Sequence, residues 1–175
     1  MTKLFIIMGV SGSGKSTVAE KLAEKLGYRY LDADDFHTDS AKQKMAAGEA
    51  LTDELRAQWM ESLQRFLMQM AKQKQSIVLA HSALKKVHRN MFRVLGFKVH
   101  FFFLEGSEEL IAERMQKRAT HFFPVALLHS QFLSLEHPEI SQQAGEELDV
   151  ISIDIEQSLA VIMMKIEQVI ALYSF

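Results

Sequence analysis

The sequence predicts one α/β domain built on a five-stranded parallel sheet, and three observations carry that prediction. Short, near-continuous runs of Ile, Val, Leu and Phe alternate with longer segments of helical periodicity. That alternation marks strands covered by helices on both faces. The 175 residues suffice for one domain with a substantial core. No linker, repeat or low-complexity tract interrupts the chain, and with only two prolines nothing marks an internal boundary.

Taken in order, the first strand is KLFIIM (Lys3–Met8), followed by a glycine-rich turn and a helix over Lys15–Leu26. A weaker strand, YRYLD, covers Tyr28–Asp32. A long, mostly helical insertion runs from about residue 36 to 75, and its periodicity predicts a helix over Asp53–Lys72. SIVLAH (Ser76–His81) is the third strand and Lys85–Leu95 the next helix. KVHFFFL (Lys98–Leu104) is the fourth strand, with a helix over Glu108–Lys117. An irregular stretch, residues 118–147, precedes the last strand, DVISI (Asp149–Ile153), and the terminal helix, Ile155–Leu172. Ligands of open α/β sheets bind beyond the carboxyl ends of the strands. Both irregular regions touch that edge, so residues 36–75 are expected to form a substrate cap and residues 114–147 a lid.

Composition removes several classes of function. A formal net charge of -2 implies no broad attraction to nucleic acid or to an anionic membrane. The absence of cysteine excludes disulfides, thiolate zinc sites and a cysteine nucleophile. No apolar run approaches the roughly 20 residues that span a bilayer. The opening MTKLFIIMGV meets glycine too soon for a signal peptide, so a cytoplasmic location is expected.

GVSGSGKS, residues 9–16, satisfies G-x-x-x-x-G-K-[ST] between a predicted strand and a predicted helix. Glycines let successive N–H groups turn inward around phosphate oxygens, and the helix start adds its positive dipole end. A chance glycine turn lacks that strand-to-helix context. A nucleoside triphosphate site is therefore expected, with Gly9, Ser11, Gly12, Ser13, Gly14, Lys15, Ser16 and Thr17 as its contacts. Lys15 is expected to reach the β- and γ-phosphates of ATP, and the Ser16 hydroxyl to bind Mg²⁺.

Two segments speak to transfer rather than switching. LDADDFH ends the second strand, where Asp32, Asp34 and Asp35 face the γ-phosphate side or, alternatively, simply cap a solvated turn. Arg114 and Arg118 in RMQKRATHFF share a helix face and suit charge neutralisation over phosphates, or a solvated basic helix end. No N-K-x-D string for reading a guanine base is present. A small-molecule kinase is preferred.

The ordered set of motifs resembles the gluconate kinases, a family of P-loop small-molecule kinases, almost from end to end. GVSGSGKSTVAEKLA is similar to their phosphate loop and first helix, and LDADDFH with KMAAGEALTDELRAQWM to their acceptor block, including Gly48, Leu51, Asp53, Arg56 and Trp59. HSALKKVHRNMFR resembles their S-A-L-K segment, and RATHFFPVALLHSQFLSLEHP their lid. The resemblance implies a three-layer P-loop kinase fold with helical substrate cap and lid. It implies transfer of the ATP γ-phosphoryl group to the 6-hydroxyl of D-gluconate, a small-molecule acceptor, with a homodimer as the family's assembly.

Within that frame Asp34 is expected to align and deprotonate the acceptor hydroxyl, with Asp32 in the metal shell beside Ser16. Lys15, Arg114 and Arg118 are expected to neutralise developing charge, and Arg118 to reach the nucleotide at base or phosphate. His37, Arg56, Ser82, Lys85, Arg89 and His121 are expected to join Asp34 around an anionic polyol. Arg56 has a rival account as a surface ion pair with Asp53 or Glu54, and Trp59 reads as core more readily than as a sugar platform. Departures from the family pattern concentrate on the acceptor side: Thr38 and Ala41, Leu55 and Gln58, His81, His88 and Asn90. They leave open another small acid or polyol, shikimate-like included, or a non-catalytic ATP-binding module.

Overall fold

The computed structural model describes all residues except 1, 48, 50, 118–124, 139–146 and 173–175, and gives no side-chain account of 45, 46 and 125–127. Five parallel strands form one sheet in the order β2-β3-β1-β4-β5. They are β1 (Lys3–Met8), β2 (Arg29–Asp32), β3 (Ile77–Ala80), β4 (Lys98–Glu105) and β5 (Val150–Asp154). The helices are α1 (Lys15–Leu26), α2 (Asp39–Ala46), α3 (Asp53–Lys72), α4 (Lys86–Arg93), α5 (Glu108–Lys117), α6 (Val125–Ser134) and α7 (Leu159–Leu172).

The continuous apolar character of the strands has a direct cause. Leu4, Ile6 and Met8 of β1 pack with Leu63 and Leu67 of α3 and Phe92 of α4 on one face. Phe5 and Ile7 pack with Val18 and Leu22 of α1 and Ile162 and Ile166 of α7 on the other. Successive side chains of a strand point to opposite faces, so a sheet covered twice needs apolar residues at every position. The sheet and its two helical layers form a three-layer P-loop kinase fold.

Two expectations are revised. The stretch after α5 is not wholly irregular, because it contains α6. The terminal helix begins at Leu159 rather than Ile155. Asp154 accepts the Glu156 N–H at 2.8 Å, Ile155 is fully buried, and Ser158 accepts the Val161 N–H, so a turn and a capping serine precede the helix. In the insertion, Thr38 accepts the Ala41 N–H as α2 begins and Thr52 caps α3 through Leu55 N–H. Thr38, a departure from the family pattern, thus has a local structural task.

Candidate active site

The turn between β1 and α1 is shaped as the glycine pattern requires. Gly9 has φ 144°, and a Cβ there would meet the Leu104 carbonyl oxygen at 2.9 Å. Gly12 has φ 80°, and a Cβ there would meet Met115 at 2.6 Å. Neither position admits a side chain without displacement. Gly14 starts α1 with no side-chain cap and no acidic residue in the first turn, which leaves the helix's positive end to an external anion. The Ser13 hydroxyl is buried without a partner. Lys15 donates to the Val10 carbonyl at 3.0 Å; burial pulls its ammonium below the usual lysine range, while Asp34 and Asp32 pull it back up. Thr17 lies exposed beside Ser16. An orphaned hydroxyl, an uncapped helix start and an inward lysine fit a polyphosphate.

β2 delivers the acids. Residues two apart share a strand face, so Tyr30 and Asp32 both turn toward the start of α1. Asp32 accepts from the Ser16 hydroxyl at 2.9 Å, the Tyr30 hydroxyl at 3.2 Å and the Asp34 N–H at 3.0 Å. Burial, followed by the Asp32 charge, pushes the Tyr30 phenol up to about 12. Among the described residues no group of three or more His, Asp or Glu could hold a metal on its own. A serine hydroxyl and a carboxylate are hard oxygen donors of the kind that share Mg²⁺ with phosphates and water.

Asp34 is exposed, and its Oδ1 lies 3.6 Å from Nε2 of buried His37. The adjacent His37 imidazole holds the Asp34 carboxyl below the usual carboxylate range against partial desolvation, with Lys15 adding to the pull. His37 stacks on Trp59 at 4.3 Å, and His81 stacks on the same indole at 5.2 Å. Trp59 donates to the Ala33 carbonyl at 2.6 Å. It is both partly buried packing and the central layer of an aromatic wall beside Asp34. Buried nitrogens of both imidazoles, His37 Nδ1 and His81 Nε2, lack partners.

Cations gather on the same side. Arg56 forms no ion pair with Asp53 or Glu54; its guanidinium donates to the Leu51 carbonyl at 3.3 Å. Burial first, then the charges of Lys85 and Arg56, push the His88 imidazole down, so both cations act on the same ring. Ser82 is half-buried and Lys85 exposed, where the chain leaves β3 for α4.

Arg89 requires a correction. It was expected to contact the acceptor, yet it is fully buried and its five N–H donors are all consumed within the protein. They meet Glu147 through Nε at 2.8 Å and Nη2 at 2.7 Å, and the carbonyls of Ala83, Leu84 and Glu136 at 3.0–3.1 Å. No donor is left for a ligand. Arg114 likewise spends a donor on the Ile155 carbonyl, beside the turn that follows β5. Arg118, His121, Phe122, Phe123 and Gly48 lie outside the described residues.

One contact had no counterpart in the residue pattern. Gln131 of α6 accepts the Ser11 N–H at 2.6 Å, so its carbonyl oxygen sits on a phosphate-loop amide. Its 120-residue separation in sequence hides it from periodicity or spacing. A cavity of about 390 Å³ opens on the β4–β5 side of the loop, lined by Val10, Phe103, Ile111 and Phe132 with Glu105 and Asp154 at its polar parts. Those carboxylates oppose an anion, whereas Arg56 and Lys85 favour one on the β2–β3 side.

Comparison with known proteins agrees with this geometry. A family model described as an AAA domain matches residues 4–137. The thermosensitive gluconokinase of Escherichia coli K12 is 42% identical over 156 residues, covering 89% of this chain and 81% of that protein. The gluconokinase of Arabidopsis thaliana is 43% identical over 150 residues, covering 78% and 79%. This chain belongs to the gluconate kinase family. A crystal structure of a gluconokinase from Sinorhizobium meliloti 1021 superposes with a TM-score of 0.79 at 36% identity, covering 93% of this chain and 88% of that one. As in P-loop kinases generally, membership implies a nucleoside triphosphate, a divalent metal and a small-molecule acceptor. No helix among the described residues is long and apolar enough to cross a membrane.

Proposed function

We propose that this member of the gluconate kinase family is an ATP-dependent gluconokinase, transferring the γ-phosphoryl group to the 6-hydroxyl of D-gluconate. The observation that carries the reading is the placement of Asp34: its carboxylate lies beside His37 and shares the field of Lys15, while His81 feels both Asp34 and His88, the imidazole on which the charges of Lys85 and Arg56 act. Relatives at 42% and 43% identity bear the name gluconokinase.

The loop amides of residues 9–16 and Lys15 hold the triphosphate, and Ser16 with Asp32 supplies oxygen donors for Mg²⁺. ATP provides the phosphoryl group and ADP as leaving group. Asp34 accepts a hydrogen bond from the acceptor hydroxyl and takes its proton as the new O–P bond forms. Lys15 offsets charge on the oxygens that separate. Arg56 and Lys85 bind the gluconate carboxylate, and His37 and Ser82 its hydroxyls. Asp34 is ionised well below neutral pH, so it is a weak base whose main contribution is orientation. That suits a loose transition state in which the proton leaves late. Arg118 and His121, outside the described residues, are assigned through the family resemblance to the nucleotide and to the acceptor.

A coupled ADP-release assay with gluconate, shikimate, AMP and a panel of sugar acids tests the reading. Release that depends on gluconate is expected. Release with shikimate or AMP alone, or with no acceptor in the panel, contradicts it.

A further inference from the structure

Ala83 stands out in the acceptor-side loop. Its φ is +46°, a left-handed conformation shared among the described non-glycine residues only with Lys74. A Cβ makes that region unfavourable, and such residues persist where surroundings over-determine them. Ala83 is fully buried between Ser82 and Lys85, the two residues assigned above to the acceptor.

We propose that His81 and Arg89 are positioning residues that jointly hold Ala83 left-handed and so fix Ser82 and Lys85 for the acceptor. The Ala83 N–H donates to His81 Nδ1 at 2.8 Å, and its carbonyl accepts from Arg89 at 3.0 Å. Both polar groups of the strained residue are thus gripped by side chains. The grip extends outward on both sides. The Leu84 carbonyl accepts from Arg89 at 3.1 Å and from the Glu136 N–H at 2.9 Å, while the Ser82 carbonyl accepts the Gly9 N–H at 3.2 Å. The bend therefore ties the acceptor loop to the phosphate loop and to the segment that follows α6.

His81 is itself immobilised, stacked on Trp59 and set edge-on to Phe92 at 5.0 Å. Accepting at Nδ1 requires the neutral ring with its proton on Nε2. Burial supports that state, pushing the imidazole down to about 3. Arg89 is locked from behind by Glu147, so neither clamp can follow the loop if it relaxes.

This inference rests on the acceptor-side assignment, and glycine supplies a test separable from it. Removing the imidazole frees Ala83 to leave the left-handed region, whereas glycine adopts that region without cost. His81→Ala is expected to raise the acceptor KM by roughly tenfold, with the ATP KM within about twofold of wild type, the scale of one buried hydrogen bond. Adding Ala83→Gly to His81→Ala is expected to recover most of that loss. His81→Asn, whose side-chain oxygen can accept the same N–H, is expected to fall between them, and it carries the test if His81→Ala does not fold. Amide exchange at Ala83 in the free protein reads the clamp without any acceptor, and should accelerate at least about tenfold in His81→Ala.

An unchanged acceptor KM and unchanged Ala83 exchange in a folded His81→Ala protein would overturn the proposal. So would a loss that Ala83→Gly fails to relieve, since His81 would then act on the acceptor directly. Wild-type turnover is measured alongside. If gluconate is inert but another acid is phosphorylated, the substrate reading fails and the same comparison proceeds with that acid. If none is turned over, the exchange rates alone decide.

Discussion

Lys15 and Asp34 answer each other electrostatically, the carboxylate opposing the fall that burial imposes on the ammonium, the ammonium helping to hold the carboxylate ionised. Lys15→Ala should remove a charge that no neighbour replaces, lowering kcat at least about 100-fold. Asp34→Asn should leave ATP affinity within about twofold while reducing transfer roughly 100-fold or more, as loss of a general base does. Equilibrium nucleotide binding beside steady-state turnover checks both; near-normal turnover in Asp34→Asn would show the base to be elsewhere. His81 yields a prediction on stability. Its folded pKa, about 3, lies below its ordinary 6.5. Between those values the unfolded chain binds the extra proton and the folded chain does not, so stability falls as pH drops through that window and levels off below it. Thermal melts from pH 7 to 3 should show a steeper acid decline in wild type than in His81→Asn.

The elements that build the site differ in how plainly the sequence announces them. β1, the glycine turn and α1 are written in a local pattern, because a run of apolar residues, constrained backbone angles and an amphipathic face all act within neighbouring residues. α3 is equally legible from its periodicity and its Thr52 cap. α6 is not, since its apolar residues VALLHSQFLS carry no clear face and its role, a contact from Gln131 to Ser11, joins distant parts of the chain. Arg89 shows the same limit. An arginine beside S-A-L-K reads as a ligand for an acid, and only the fold reveals Glu147 and three carbonyls absorbing all its donors. α4 is thereby anchored by an ion pair whose partners are 0% and 2% exposed. Arg89→Met should leave the buried Glu147 carboxylate with Arg93, 2.9 Å away, as its remaining ion-pair partner, and cost less than the about 3–5 kcal/mol of a buried charge left wholly unpaired. Chemical denaturation measures this, and a loss under about 1 kcal/mol would mean that Arg93 alone satisfies Glu147 and that Arg89 does not anchor α4.

At the scale of the whole molecule, the strand order β2-β3-β1-β4-β5 puts the phosphate loop on the central strand. The acids of β2 and the strained loop after β3 then fall on one side of it, and α6 on the other. The phosphate loop, the carboxylates that follow β2 and the loop carrying Ser82 and Lys85 converge because β1, β2 and β3 end at the same edge of the sheet. The terminal helix contributes Ile162 and Ile166 to the core while Met164 and Leu172 stay exposed. The central claim is transfer between that loop and a sugar-acid hydroxyl at this edge. Phosphorus NMR of the protein with Mg·ATP and gluconate tests it most directly. A new phosphomonoester signal, split by the two protons on carbon 6 and absent with Lys15→Ala, is the predicted result. Loss of the γ-phosphoryl signal to inorganic phosphate alone, or a monoester coupled to a single proton, would contradict it.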